Sequence, residues 1–198
     1  MKKLILVLAS LMAVNAFAFD NDHTFASVNL ADVSGDMRGQ LVSVGVSVDV
    51  MDHVALLAAW SHGKFDSTIE EKYSVETEDR NVGVLVFHDF GLETGTKFEA
   101  VLMFGRSVGA ETYQGVYMPG SMSTKHFGLG VIQEVGDMVE LKFQVAQSYM
   151  GLGFDVGTTL YAPEISVKFS ELLTVSAAYN FNSNKRNEAI SVGWDFAF

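Results

Sequence analysis

Ile190-Ser191-Val192-Gly193-Trp194-Asp195-Phe196-Ala197-Phe198 closes the chain and decides how the rest of it is read. Every second residue gives Ile, Val, Trp, Phe and Phe. The residues between give Ser, Gly, Asp and Ala. Side chains alternate across a β-strand with period two, so this segment is a strand with one apolar and one polar or small face.

The same pattern recurs on moving back through the chain. Leu173, Val175, Ala177, Tyr179 and Phe181 alternate with Thr174, Ser176, Ala178 and Asn180. Ile165, Val167 and Phe169 alternate with Glu164, Ser166 and Lys168, and Val139, Leu141, Phe143 and Val145 with Glu140, Lys142, Gln144 and Ala146. Phe127 to Val131, Phe98 to Phe104 and Val42 to Val48 repeat it. Less regular strands are expected near 23–33, 54–65 and 80–90. The expectation is an all-β chain of ten antiparallel strands, with eight as the alternative. Composition agrees: 18 glycines, 15 phenylalanines and two prolines suit strands and tight turns.

Connections alternate in length. Short turns are expected around Met51–His53, 91–96, Gly136–Met138 and 170–172, and longer loops at 34–39, 66–79, 109–123, 151–160 and 183–187. One end of the sheet therefore carries short turns and the other long loops, the asymmetry of outer-membrane barrels. The clean strands have about the length that a tilted strand needs to cross a bilayer. Aromatic residues stand near their ends, including Phe98, Phe127, Tyr149, Tyr161, Phe169, Tyr179 and Phe181. These features place the apolar face outward against lipid. A closed up-and-down transmembrane barrel also leaves no backbone edge unpaired in hydrocarbon.

The N-terminus reads as an export signal. Lys2 and Lys3 precede the apolar run Leu4 to Val14, and Ala16-Phe17-Ala18 offers small residues for cleavage after Ala18. The expected domains are a signal peptide, 1–18, and a barrel, 19–198. Net charge is −11, and it becomes −13 once Lys2 and Lys3 are removed, which disfavours a nucleic-acid partner. With no cysteine, thiol chemistry and disulfides are excluded.

On its C-terminal strand the chain resembles the small bacterial outer-membrane β-barrel proteins. The resemblance implies that Trp194, Phe196 and Phe198 form the signal read by the barrel-assembly machinery. It also implies a Gram-negative outer-membrane location, with outer-membrane lipid and lipopolysaccharide as surroundings. It says nothing of activity.

Three functions follow as expectations. The first is a structural or surface-interaction role through extracellular loops, toward an unidentified extracellular partner. The second is a narrow, porin-like path for small solutes or ions. The third is a lipid- or peptide-processing enzyme. Glu140, Lys142, Glu164 and Lys168 are expected to form a charge network in the lumen, because buried charges need partners. Gly45, Gly105, Gly128 and Gly193 would leave room for a thin conduit. Asp66, Glu70, Glu71, Glu76, Glu78 and Asp79 are expected in one acidic loop, whose carboxylates would suit divalent cations shared with lipid phosphates.

Catalysis finds no arrangement. Ser61 and His62 are adjacent and face opposite ways, as do His88 and Asp89, and His126 has no serine two positions on. No two histidines have a ligand spacing on one strand. No catalytic, cofactor-binding or metal-binding residue is assigned, and no cofactor is expected.

Overall fold

The structure is a computed structural model and describes residues 24–89, 95–150, 157–183 and 187–198. The expected signal peptide lies outside the described residues. Ten strands follow in chain order: β1 Phe25–Gly35, β2 Met37–Met51, β3 Val54–Ser67, β4 Tyr73–Asp89 and β5 Thr96–Tyr113, then β6 Val116–Val135, β7 Val139–Met150, β8 Gly157–Ser170, β9 Leu173–Asn182 and β10 Asn187–Ala197. Each pairs antiparallel with its neighbours in sequence, and β1 pairs with β10, so the barrel closes. Phe25 stands opposite Ala197, which puts both ends of the barrel on the side of the short turns.

The outer surface carries a continuous apolar belt. Val42 to Val48 on β2, Leu56 on β3, Val82 and Val86 on β4, Leu102 and Phe104 on β5 and Phe127 to Val131 on β6 expose their alternate side chains. Leu141, Phe143, Ile165, Tyr179, Ile190 and Phe196 continue it around β7 to β10. Burying this surface in hydrocarbon is favourable by roughly 25 cal/mol per Å², whereas no water-soluble chain gains from exposing it on every strand. Trp194 faces outward between Val28 and Val175. Phe196 faces outward between Ala26 and Leu173, and Phe198 lies exposed just past the last strand.

Toward the long-loop end the amphipathic pattern inverts. On β4, Tyr73, Val75, Thr77 and Asp79 point inward and are buried, while Glu76 and Arg80 point outward and are exposed. β3 repeats the inversion with Phe65 inward and Lys64 and Asp66 outward. β2 does so with Met37 and Leu41 inward and Arg38 and Gln40 outward. The physical reason is the solvent outside the wall. Above the lipid the exterior meets water, so polar residues move out and apolar ones fill the interior, as in a soluble barrel.

This inversion corrects two sequence expectations. The long acidic loop 66–79 does not exist: β3 runs to Ser67, β4 starts at Tyr73, and a short turn joins them. The long loop 109–123 is instead the upper part of a hairpin, closed by Gln114-Gly115 with φ of 51° and 85°. Positive φ at both positions is the two-residue turn whose twist matches paired strands. Strands are also longer than a bilayer crossing requires, reaching 18 residues in β5 and 20 in β6.

Candidate functional site

Two regions gather chemistry: the lumen and the outer rim where the apolar belt gives way to polar residues. The lumen is not uniformly polar, contrary to the sequence expectation. In its upper half Met37, Leu41, Phe65, Tyr73, Val75 and Leu160 meet with four alanines and Val33 in one apolar cluster. The cluster draws on β1, β2, β3, β4, β7, β8 and β10, so it reaches across the barrel. Met37 and Leu160 are 0% exposed and Phe65 1%. In the lower half a second cluster, Phe25, Ala55, Leu57, Leu85, Val101 and Met103, lines the β1 and β3–β5 side.

Beside that lower cluster, on β5, β7 and β8, lies the charged part. Lys142 Nζ is 2.6 Å from Glu99 Oε1, and both side chains are almost fully buried. Gln144 Nε2 donates to the same Glu99 oxygen at 3.3 Å. Glu164 stands directly across the strand pair from Lys142, and its Oε1 accepts a hydrogen bond from Ser166 Oγ at 3.1 Å. One lysine thus sits between two carboxylates. Of the four residues expected as a network, Lys142 and Glu164 are brought together with Glu99. Glu140 and Lys168 instead line a cavity of about 290 Å³ at the Gly136–Met138 turn, facing the short-turn mouth. Glu99 comes from β5, on the far side of β6 from β7, and the register that sets it opposite Gly130 lets it reach across β6 to Lys142.

The lumen glycines do not open a conduit where they face polar neighbours. A Cβ at Gly193 would overlap Asn29 Oδ1 and come within 2.6 Å of Ser176 Oγ. The room left by the missing side chain is filled by a neighbour's polar group.

Other polar groups meet across strands in ways that adjacency in sequence hides. His126 Nδ1 is 2.8 Å from Ser148 Oγ, with both side chains buried. This serine–histidine contact is sealed from solvent, so it gives no nucleophile access to substrate. His53 and His88 pack edge to face with ring centroids 5.4 Å apart. Among the described residues no group of three or more histidine, aspartate or glutamate side chains converges to hold a metal.

The acidic residues expected in one loop are dispersed. Glu70 and Glu71 are in the β3–β4 turn. Asp66 stands across from Arg38 and Glu76 across from Lys64, opposite-charge pairs of the kind that stabilise adjacent strands. His62 Nε2 is 3.8 Å from Glu76 Oε1. Asp79 points inward and is buried. Its burial pushes the carboxyl up to about 6, with the nearby Ser107 side chain offsetting part of the shift and the Glu78 charge adding to it. Glu78 points outward into a cluster: Arg80 donates to its Oε1 from Nη2 at 2.6 Å and Nε at 2.8 Å, and Trp60 Nε1 donates at 3.1 Å. These bonds, that of Arg80 first, hold the Glu78 carboxyl below the usual carboxylate range. At the top of β4, burial and then the Glu111 carboxylate raise the Tyr73 phenol.

No protein-family model matches the chain, and no curated protein matches it in sequence. Solved structures do. The translocator domain of the autotransporter NalP from Neisseria meningitidis matches with a TM-score of 0.61 at 12% identity, covering 98% of each chain. The beta domain of the Bordetella autotransporter BrkA matches with a TM-score of 0.55 at 11% identity, covering 88% of this chain and 99% of that one. At such identities the likeness is one of fold. It meets the expectation of a bacterial outer-membrane type of β-barrel.

Proposed function

We propose that this chain is an integral outer-membrane barrel with a closed lumen, acting through the structures that it raises above the membrane as a structural or surface-interaction protein. The observation that carries this reading is the upper apolar cluster. Side chains from seven strands meet there, and Phe65, Met37 and Leu160 are almost completely buried among them. A water-filled path would have to displace that cluster, which opposes the narrow-pore reading.

Among the described residues the β5–β6 hairpin rises high above the belt, level with the β3–β4 turn, where Gln114 N donates to the Lys72 carbonyl at 3.1 Å. Its residues Val116–Ser123 pair with β5, while β7 joins β6 only from Thr124 downward. Eight residues correspond to about 25 Å of strand. This arm carries Tyr117, Val116 and Met118 exposed, side chains suited to contact with another protein. Location in the outer membrane is supported by the outward apolar belt, by the termini lying with the short turns, and by the barrel fold itself.

The test is single-channel recording on the full chain, expressed in a Gram-negative host and purified from membranes in detergent. Folding is checked by the gel shift that a closed barrel shows on heating. The expected result is a folded barrel that is silent in a planar bilayer. Discrete, reproducible conductance steps would overturn the closed-lumen reading.

A further inference from the structure

We propose that the outer face of β2–β5, at the level where lipid meets water, binds the phosphorylated headgroup of an outer-leaflet glycolipid, with Arg80 and Arg106 as the phosphate clamp. The inference rests on the membrane orientation proposed above.

On each strand of the inverting wall, the first outward polar residue above the apolar belt marks the waterline. It is Gln40 on β2 and His62 on β3, then Arg80 on β4, Arg106 on β5 and Lys125 on β6. On β10 and β1 the corresponding residues are Glu188 and Asp32. Cations therefore occupy this level together on three adjacent strands, in a chain whose net charge is −11.

The register makes the grouping closer. Arg80 stands directly opposite Arg106 across the β4–β5 pair, and Lys125 directly opposite Phe104, one outward step below Arg106. Directly opposed side chains have Cβ atoms about 5 Å apart, and like charges there destabilise the pair. Glu78 satisfies Arg80 in part, but Arg106 donates only to a neutral group, the Ser121 hydroxyl, at 3.0 Å from Nε and 2.8 Å from Nη2. Two directly opposed guanidinium groups thus have the Glu78 carboxylate on one side and a neutral hydroxyl on the other. A phosphate between the guanidinium groups would relieve the repulsion and accept charge-assisted hydrogen bonds from both.

Immediately below the arginines the wall carries a shallow, open apolar depression. Val44, Ala58, Trp60, Val82 and Phe104 line an apolar trough of about 660 Å³ that Arg80 and Arg106 close at its upper end. Ala58 makes the hollow, being the small residue among larger ones. An acyl chain in the trough with its phosphate at the arginines matches a lipid lying along the barrel. The long-loop side is the extracellular side of an outer-membrane barrel, so the leaflet is the outer one. Its phosphate-bearing lipid is the glycolipid of lipopolysaccharide.

Native mass spectrometry of the detergent-purified full chain tests this with three probes: diphosphoryl lipid A, its dephosphorylated form and phosphatidylglycerol. Binding of diphosphoryl lipid A is expected to exceed that of the other two by roughly tenfold or more. R80Q/R106Q is expected to abolish the preference, since each charge-assisted bond contributes about a factor of ten. Equal binding of phosphorylated and dephosphorylated lipid overturns the proposal, as does a folded double variant that keeps the preference. Equal binding of phosphatidylglycerol overturns the glycolipid assignment in favour of any anionic lipid. If the double variant fails to fold, the three-probe comparison on the unaltered chain still decides. A chain that shows no heat-dependent gel shift refutes the membrane barrel itself, an outcome distinct from a folded barrel without lipid preference.

Discussion

Glu99 occupies the space that Gly130 leaves open on the neighbouring strand, and from there it reaches Lys142. A Cβ at Gly130 would overlap the Glu99 carboxylate, whose Oε1 is the oxygen held by Lys142 Nζ at 2.6 Å. The small residue on β6 is thus a condition for an ion pair between β5 and β7.

Gly130→Ala is expected to push Glu99 away from Lys142. Overpacking of this kind costs typically 1–3 kcal/mol. Restoring room from the other side, as Gly130→Ala with Glu99→Asp, should recover part of the loss. The temperature at which the folded gel band disappears is the readout. An unchanged temperature in the single variant would show that Glu99 moves freely.

The lumen places one lysine between two buried carboxylates, and the three substitutions should therefore differ in sign. Lys142→Met leaves Glu99 and Glu164 without their cation and is expected to cost about 3–5 kcal/mol. Glu164→Gln removes the surplus negative charge while keeping a group that accepts from Ser166, so it should be neutral or stabilising. Glu99→Gln breaks the 2.6 Å pair and should fall between them. Urea unfolding in lipid vesicles orders the three. The same order with Glu99 and Glu164 exchanged would mean that Lys142 serves Glu164 first.

Asp79 gives a pH dependence. Its folded carboxyl lies near 6, above its ordinary value of 3.8, chiefly because of burial. A raised acid favours the protonated form in the folded state. Its contribution is therefore fully present below about pH 4 and is lost as pH rises through 6. Asp79→Asn should stabilise the barrel at pH 7.5, by as much as about 3 kcal/mol, and leave it unchanged at pH 4. Thermal melts of the two proteins at both pH values check this, and an equal effect at both would exclude titration of Asp79 as the cause.

Among the described residues no strand pairs with the far edge of the β6 arm above Thr124, and Pro119 lies on that edge. Tyr113 faces Val116 across the two-residue turn, so Tyr117, Pro119, Ser121 and Ser123 turn their backbone groups away from β5. Proline offers no N–H there, a known way to blunt an edge against pairing. Pro119→Thr is expected to produce concentration-dependent dimers in detergent, seen by light scattering. A variant that stays monomeric at every concentration would show that the edge is protected by something other than Pro119.

Much of the barrel was legible in the sequence because its signal is local. Ile190 to Phe198 and Val42 to Val48 alternate strictly, and lipid imposes that alternation residue by residue. Ten strands and the outward apolar face followed from it. The segment 66–79 hides its strands for an equally local reason. Glu76, Glu78 and Arg80 put charge where the lipid-facing pattern expects apolar residues, and Tyr73, Val75 and Thr77 carry the alternation on the inward parity instead.

Other features belong to closure and register. Nothing in the spacing of Glu99 and Lys142, of His126 and Ser148, or of Arg80 and Arg106 brings them together. Each pair meets because an antiparallel register sets particular residues opposite one another, or because curvature of the wall turns separate strands toward a shared interior. The sequence by itself determined that this chain makes strands with a lipid-facing side. Only the tertiary structure decided where charge moves to the outside of the wall, and hence that the interior gathers an apolar cluster above and a buried ion pair beside a second apolar cluster below.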